Sequence, residues 1–324
     1  MAAPNEKGSK TVSYSTESAS KVAAKEAAGL HAQQRRNRWM MFLFILPMLI
    51  VFLAIVIIPS LQSIQLSFTD YDGISPTYNW VGIDNYHEII TSGRFWNAVK
   101  NTLILGIGSA FIINVISLVM ALLLDHIHHF SGFFRTIVYL PSLVSAFIAS
   151  TIWKYMLNYN FGAINSILKK IGLEGWVHDW LGDSHIVVWV LLFLICFTLG
   201  GNTTLIYLSN LQSVPQELVE AAEVDGASGW QVFRHVTWPM LAGSVTVNFT
   251  LSLIGGWVIF DQIQVLTGGG PGFVSETMAF FIYRLGFGEY RAGFGSAAAV
   301  LLFIIVMITT VITNKYMRGR EIQA

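Results

Sequence analysis

Six long apolar runs, separated by polar segments, constrain the fold of this 324-residue chain more than any other feature. They cover residues 40–60, 99–124, 134–157, 186–208, 239–262 and 294–316. A run of about 20 apolar residues can cross the hydrocarbon core of a bilayer as a helix. A helix also satisfies its own backbone hydrogen bonds, whereas a membrane barrel would show shorter segments of alternating polarity. We therefore predict an all-α membrane protein with six transmembrane helices.

The composition agrees with a membrane protein and excludes one class of partner. Hydrophobic residues make up 54% of the chain and charged residues only 12%, whereas soluble domains usually carry about 25% charged residues. The formal net charge is +0, so no basic field favours nucleic-acid binding. The single cysteine, Cys196, lies in an apolar run, and we expect it to be a packing residue without a disulfide partner.

Basic residues near the ends of the apolar runs predict the orientation. The sequence RRNR at 35–38 precedes the first run, and Lys315, Arg318 and Arg320 follow the last one. Both termini are therefore predicted to be cytoplasmic. Residues 125–133 and 209–238 would then lie inside, and 61–98, 158–185 and 263–293 outside. Residues 1–34 are polar and predicted to be a disordered cytoplasmic tail, followed by a six-helix domain over 35–320.

The longest predicted cytoplasmic loop contains two helix signals, within residues 213–238. Ser213 is a candidate N-cap and Pro215 a candidate first helical residue. The sequence QELVEAAEVDGA predicts a short helix, and Gly226 and Gly229 permit a sharp turn after it. The sequence WQVFRHVTW then predicts an amphipathic helix, and Pro239 is expected to begin the next membrane helix.

This segment could dock on another protein or lie on the lipid surface. Anionic lipid of the inner leaflet would disfavour the acidic residues of its first helix, which are Glu217, Glu220, Glu223 and Asp225. We therefore favour docking over association with lipid.

Residues 220–239, EAAEVDGASGWQVFRHVTWP, resemble the EAA loop of the permease subunits of type I ABC importers. The matching positions are Glu220, Ala221, Ala222, Gly226 and Pro239, whereas Val236 and Trp238 replace the usual Ile and Leu. The sequences WVGIDNYHEI, FFRTIVYLPSLVSAFIASTIWKYML and FDQIQVLTGGGPG are also similar to segments of carbohydrate permeases. The resemblance covers roughly residues 40–316 and is greatest to the first permease subunit of maltose-type systems.

This resemblance implies a set of partners. A second homologous permease, in a heterodimer, would complete the pathway within the lipid of a prokaryotic cytoplasmic membrane. Two cytoplasmic ATPase subunits would each receive one EAA loop, and an external binding protein would deliver the sugar. The chain would bind no cofactor and would not be an enzyme itself, because ATP and Mg²⁺ would be held by the ATPase subunits. The implied coupling residues are Glu220, Ala221, Ala222, Asp225, Gly226, Phe233 and Pro239.

The resemblance also places the sugar pathway on the two helices that flank the loop. Asn202, Ser252 and Gly256 are the implied residues, and we add their neighbours Asn248 and Trp257, since aromatic faces suit sugar rings. The solute would be a sugar, an oligosaccharide or a sugar-like solute such as glycerol phosphate, and a site held entirely by the partner permease is the alternative. Polar residues in membrane helices usually face a cavity or a neighbouring helix. Contacts between helices therefore remain an equal alternative for each of these residues, and for Asn114, Ser117 and Thr204. Asp261 is expected at a corner or an interface.

Two short motifs suggest sites that we do not favour. The sequence DHIHH at 125–129 could suggest a metal site, but adjacent residues do not converge on one face of a helix, so an ordinary turn is expected. The sequence TGGGPG at 267–272 lacks the Gly-Lys-Ser/Thr ending of a phosphate loop and predicts a tight turn that caps the fifth helix.

Two other functions compete with the importer. A secondary transporter would predict inverted repeats, helices broken in mid-membrane or a central ionisable pair for ion coupling, and no buried acid–base pair of that kind is evident in the sequence. A membrane enzyme would need an intramembrane catalytic set, which the apolar runs do not supply.

Overall fold

A computed structural model describes residues 40–127 and 130–318. Within this part the chain is helical, and its β contacts are confined to an isolated bridge between Thr69 and Trp80. The helices are α1 (Met40–Leu66), α2 (Asp84–Thr91), α3 (Gly93–Asp125), α4 (Ser131–Leu143), α5 (Ala146–Met156), α6 (Ala163–Lys170), α7 (Val187–Leu211), α8 (Gln216–Val224), α9 (Gly229–Met240), α10 (Ala242–Trp257), α11 (Asp261–Leu266), α12 (Met278–Gly288) and α13 (Ala292–Arg318). The predicted all-α class is confirmed, and the predicted tail, residues 1–34, lies outside the described residues.

Each predicted apolar run falls on helical structure, but two runs are interrupted. By length and apolar composition, α1, α3, α7 and α13 could each cross a membrane. Two bent pairs, α4 with α5 and α9 with α10, raise the possible number of spans to six if each pair counts as one. The chain forms two compact units that divide after Gln62, so most of α1 forms one unit and the rest of the described chain the other.

The bends correct the prediction that residues 134–157 and 239–262 form continuous helices. The first pair turns by 91°, because Val144 and Ser145 adopt extended backbone angles between the two helices. The second pair turns by 65° at Leu241. Here a π-helical turn over Phe233–Thr237 precedes Pro239, which has no N–H to donate to the preceding turn; both features are common causes of helix kinks.

The fifth predicted run ends earlier than expected. Helix α10 stops at Trp257, and a separate short helix, α11, begins at Asp261. The TGGGPG stretch therefore follows α11 rather than α10, which corrects the predicted position of this turn. The turn itself is present, since Gly268, Gly269 and Gly272 all have positive φ angles and the Gly270 N–H donates to Thr267 O at 3.1 Å.

Helix α3 is central to the second unit and packs against both α7 and α10. It lies close to α10 at Gly106 and Gly256, where a Cβ added to Gly256 would lie 2.9 Å from the carbonyl oxygen of Gly106. Small residues allow such close backbone contact between membrane helices. A buried apolar cluster joins the ends of α3 and α7 to the start of α10 and contains Ala121, Leu124, Tyr207, Leu208, Leu211 and Leu241.

Candidate docking loop and polar sites of the helices

The loop segment, residues 213–238, contains two helices joined by a glycine turn. Helix α8 ends in a Schellman arrangement, in which the Gly226 N–H donates to Glu223 O and the Ala227 N–H donates to Ala222 O, both at 3.0 Å. Gly226 has φ +84°, a left-handed conformation that favours glycine. The predicted turn at Gly226 is therefore present.

The helix starts in this segment differ from the predicted ones. The Ser213 hydroxyl donates to Asn210 O at 2.7 Å and caps no helix, and Pro215 precedes the first residue of α8. Gly229 is the first residue of α9 rather than part of the turn. Ser228 caps α9 in a capping box with Gln231, whose side chain accepts the Ser228 N–H at 2.7 Å.

Pro239 was predicted to begin the next membrane helix, but it does not. It lies inside α9, just before the break at Leu241. The amphipathic stretch of the loop segment is therefore continuous with the first turn of the predicted fifth run. Val232 and Leu241 are buried, so α9 is anchored by apolar contacts while most of its surface remains accessible.

The polar surface of the loop segment is available for contact. Its four acidic side chains, at 217, 220, 223 and 225, are exposed, and none of them has an ion-pair partner in the described part of the chain. Ala221 is also exposed and Ala222 is half-buried. This helix therefore presents negative charge beside small side chains that permit close approach.

Three aromatic rings form the other contact surface of the loop segment. The Phe233 ring lies 5.5 Å from Trp230 and 6.2 Å from Trp238. Trp230 is 67% exposed and Trp238 42% exposed, whereas Phe233 is half-buried between them. Phe233, one of the implied coupling residues, thus belongs to a stack whose most accessible member is Trp230.

The five predicted pathway residues differ in their burial in the described part of the chain. Asn202 is exposed on α7, and Ser252 is half-buried on α10. Gly256 and Trp257 are buried beside α3, and Asn248 is 2% exposed. A cavity of about 480 Å³ lies between α3, α4 and α7, but its lining, which includes Trp189, Phe193 and Thr204, contains none of the five.

Asn114 is the polar centre of the contact between three helices. Its Oδ1 atom accepts a hydrogen bond from the Tyr207 hydroxyl of α7 at 2.7 Å. Its Nδ2 atom donates to Ala110 O at 2.7 Å and to the Ser252 hydroxyl of α10 at 3.3 Å. Ser117 likewise donates to Gly200 O on α7 at 2.9 Å. For Asn114, Ser117 and Ser252 the structure thus shows contacts between helices.

A buried ion pair at the first turn of α3 was not predicted. We call Arg94, Glu276, Arg284 and Glu289 the Glu276 cluster. Arg94 donates to both carboxylate oxygens of Glu276, at 2.7 and 2.9 Å, and to Glu289 at 2.6 Å. Arg284 lies 3.4 Å from the Glu276 carboxylate, which is fully buried.

Side chains on the same face of α3 also form hydrogen bonds with the backbone around Glu276. Asn97 donates to Phe273 O at 2.7 Å, and Asn101 donates to Val274 O at 2.5 Å and to Glu276 O at 2.9 Å. The spacing of Arg94, Asn97 and Asn101, three and four residues apart, places them on one helix face. This spacing is a sequence signal that could have revealed a polar face on α3, but not the segment that pairs with it.

A second ion pair lies beside this region. Arg291 donates to both oxygens of Glu88 on α2, at 2.8 and 2.7 Å. The hydrogen-bonded Arg291 guanidinium lowers the pKa of Glu88 below its usual range. Because both side chains are largely exposed, water screens the pair and its contribution to stability is small.

Metal binding finds no support in the described residues. No group of three or more His, Cys, Asp and Glu side chains could hold a metal ion there. His128 and His129 of the DHIHH motif lie outside the described residues. Cys196 is partly buried against the apolar cluster of α7, where it is a free thiol.

Comparisons with known proteins identify the family. Residues 113–320 match the model of the family described as "binding-protein-dependent transport system inner membrane component". The trehalose/maltose transport system permease protein MalF of Thermococcus litoralis is 33% identical over 86% of this chain and 94% of its own. The multiple sugar-binding transport system permease protein MsmF of Streptococcus mutans is 31% identical over 88% of this chain and 98% of its own.

A solved structure gives the same answer for the fold. One chain of a bacterial ABC transporter involved in the import of the acidic polysaccharide alginate superimposes with a TM-score of 0.78 at 25% identity. The superposition covers 88% of this chain and 96% of the other. The sequence match, the relatives and the fold agree, and the chain belongs to the family of binding-protein-dependent transport system inner membrane components, the multi-pass permease subunits of ABC transporters.

Proposed function

We propose that this chain forms half of the pathway of an importer for a sugar or an oligosaccharide and couples to a separate ATPase through the loop segment. Two relatives that match most of the chain are named for trehalose and maltose and for multiple sugars, which supports this solute class. A sugar-like solute such as glycerol phosphate is the alternative. The observation that carries the coupling role is the exposed acidic and aromatic surface of residues 213–238, whose carboxylates have no ion-pair partner among the described residues.

The proposed topology has six spans and two cytoplasmic termini in the cytoplasmic membrane of a prokaryote. Four long apolar helices and two bent pairs support six spans. Basic residues before α1 and at the end of α13 support the orientation. The loop segment and the turn between α3 and α4 then face the cytoplasm, and the Glu276 cluster faces outward.

The loop segment has the features that a lever needs. The Glu220 carboxylate is free to make a charge-assisted contact with a basic residue of the ATPase. Ala221 and Ala222 permit close approach, and Gly226 fixes the angle between α8 and α9. Phe233 supports the exposed Trp230 ring, so we expect both rings to meet an apolar pocket of the ATPase.

Movement of the loop segment would reach the membrane helices directly. Helix α7 leads into the segment, and α9 continues into α10 through the bend at Leu241. The apolar cluster around Tyr207 and Leu241 ties both helices to α3. A lever that docks differently in two states can bias such a packed body toward one of them.

The remaining partners follow from the same proposal. A second homologous permease completes the pathway, two ATPase subunits bind ATP and Mg²⁺, and an external binding protein delivers the solute. The chain itself holds no cofactor and hydrolyses no ATP. Among the predicted pathway residues, the exposed Asn202 is the strongest candidate for solute contact, whereas Gly256 and Trp257 shape the packing of α10 on α3.

The test is to change the loop segment and measure its coupling. We expect Glu220→Lys and Gly226→Asp to leave the permease in the membrane. Each should weaken co-purification of the ATPase subunit and lower binding-protein-stimulated ATP hydrolysis about tenfold, since a charge-assisted hydrogen bond contributes about 1.5–3 kcal/mol. Gly226→Asp adds strain, because an L-residue at φ +84° is disfavoured.

Two matched variants serve as controls. Glu174→Lys makes the same charge change at an exposed residue of the segment between α6 and α7, and Gly229→Ala adds a methyl group inside α9, where it meets no atom within 4 Å. Both should behave like the wild type. Unchanged co-purification and hydrolysis in the Glu220 and Gly226 variants would refute docking through this segment.

A further inference from the structure

Helix α6 has an apolar face that the rest of the described chain leaves exposed. On one side of this helix, Asn165 is buried and Ile164 packs against the apolar cluster of α7. On another side, Ile167 is 57% exposed, and Ile171, which closes the last turn, is 61% exposed. These two isoleucines are four residues apart and therefore share a face. The helix thus has one apolar face on the protein and a second one directed away from it.

Asn165 fixes the orientation of α6. Its Nδ2 atom donates to His178 O at 2.9 Å and to Tyr159 O at 3.3 Å, and its Oδ1 atom accepts the indole N–H of Trp180 at 2.8 Å. The segments before and after the helix are therefore both tied to its buried side. Because that side is held by specific hydrogen bonds, the exposed isoleucines belong to a helix with a defined orientation.

The exposed apolar surface continues from α6 onto α5. Ile148, Ile152 and Tyr155 are all exposed, and their spacing of four and three residues places them on one face of α5. Helix α5 belongs to a bent pair that is long and apolar enough to span a membrane, so lipid is the natural environment of this stripe. Tyr159 and Phe161, which are also exposed, extend the same kind of surface along the chain to the start of α6.

The residues near the exposed isoleucines are typical of a membrane interface. Trp176 follows α6 and is exposed, and tryptophan and tyrosine are enriched where membrane meets water. Lys170 lies three residues after Ile167 and flanks the apolar face, whereas Lys169 lies on the opposite side of the helix. Both lysines are exposed, and neither has an ion-pair partner in the described part of the chain. A lysine beside an apolar face can lay its stem along that face and place its ammonium group near anionic headgroups.

We propose that α6 lies in the lipid interface, with Ile167 and Ile171 among the acyl chains and Lys170 at the phosphate groups of anionic phospholipids. In the proposed topology this is the outer surface of the membrane. The apolar face of an interfacial helix enters the boundary between headgroups and chains by about 5–10 Å. Lipid fits this face better than a soluble protein does, because the face is continuous along the chain with the apolar stripe of α5. The inference requires a chain that resides in a membrane, and it is independent of solute and of ATPase coupling.

A fluorophore on single cysteines tests the proposal in the complex that co-purifies with the full-length chain, reconstituted in phospholipid nanodiscs. Cys196, the only cysteine, is replaced by alanine, and bimane is attached at Ile171→Cys. Nitroxide groups on the acyl chains quench a fluorophore in lipid, whereas iodide quenches one in water. The lipid nitroxide should quench Ile171→Cys as strongly as Ile148→Cys on α5, and iodide should have little effect on either. Lys169→Cys, on the opposite side of α6, is the matched control and should show the reverse.

A second comparison tests the contact of Lys170 with headgroups. At equal mole fractions, nitroxide-labelled phosphatidylglycerol should quench the fluorophore at Ile171→Cys more strongly than nitroxide-labelled phosphatidylcholine. The local preference for the anionic lipid should be at most about fivefold, the factor that one lysine near a membrane surface supplies. Lys170→Gln should abolish this preference, whereas Lys170→Arg keeps the charge and should retain it. Both variants change an exposed side chain, so neither should alter the fold.

Three outcomes would overturn the inference. Quenching of Ile171→Cys by iodide alone would place this face in water, where a soluble protein could bind it. Protection from both quenchers would mean that another subunit covers the face. Equal quenching by the two labelled lipids with Lys170 present would overturn the headgroup contact. Failure of the proposed coupling to an ATPase would leave all of these readings unchanged, so the two proposals fail separately.

Discussion

The ion pair between Arg94 and Glu276 should contribute most of the stability of its cluster. Glu276 is fully buried and receives two hydrogen bonds from one guanidinium. Loss of one partner of a buried pair usually costs about 3–5 kcal/mol. Arg94 would keep Glu289 at 2.6 Å, so we expect the lower end, about 3 kcal/mol, for Glu276→Gln. At roughly 2–4 °C per kcal/mol, the unfolding temperature should fall by about 6–12 °C.

The neighbouring carboxylate provides the comparison. Glu289 binds the same guanidinium, but its side chain is 35% exposed, and partly exposed pairs contribute about 1 kcal/mol or less. Glu289→Gln should therefore lower the unfolding temperature by no more than about 4 °C. Thermal scans of the purified variants at one fixed rate measure both shifts. Equal shifts would refute the argument that burial sets the contribution.

A double variant tests the physical origin of the effect. A buried ion pair can be replaced by apolar side chains at little cost, because the desolvation of both charges is then avoided. Combining Arg94→Met with Glu276→Met should therefore be less destabilising than Glu276→Met alone. A double variant that is less stable than this single variant would show that the polar contacts, rather than an uncompensated charge, dominate.

Two further predictions concern packing and pH. Gly256→Ala should lower the unfolding temperature, because the added Cβ meets the backbone of Gly106. Gly255→Ala is the control and should raise the unfolding temperature slightly, because its Cβ meets no atom within 4 Å. Similar shifts for the two variants would contradict the close helix contact. Glu88 has a lowered pKa in the folded state, so its pairing with Arg291 stabilises the fold above the unfolded-state pKa of about 4.5, and this contribution is lost as the pH falls through the lowered value. The difference in unfolding temperature between wild type and Glu88→Gln should therefore be present at pH 7 and disappear in acid, and a difference that persists in acid would refute this linkage.

The sequence was most informative where the local pattern decides the structure. Each apolar run became helical because lipid-length hydrophobic segments have few alternatives. Gly226 formed the turn because the left-handed conformation at that position favours glycine. The polar residue Asn114 could be recognised within its run, but whether it faces a cavity or another helix could not be decided from one sequence.

The sequence was least informative where distant segments meet. The hydrogen bond of Tyr207 could not be predicted from its apolar run, because its partner, Asn114, lies 93 residues away. Arg94 and Glu276 are 182 residues apart, so no local pattern joins them. Pro239 was expected to begin a helix, but it lies within a helix that contains a π-helical turn just before it. Such turns have no simple sequence signature.

The long separation between Arg94 and Glu276 has a consequence for biogenesis. During translation, α3 with its Arg94, Asn97 and Asn101 side chains is synthesised before the segment that pairs with them. Contacts between such distant parts of a chain form late, because their ends must first be brought together. The cluster can therefore close only when the chain has been synthesised beyond Glu289, and until then Arg94 is an unpaired cation at the end of a membrane helix. Completion of this contact would distinguish a finished permease from an unfinished one for proteases that degrade incompletely folded membrane proteins.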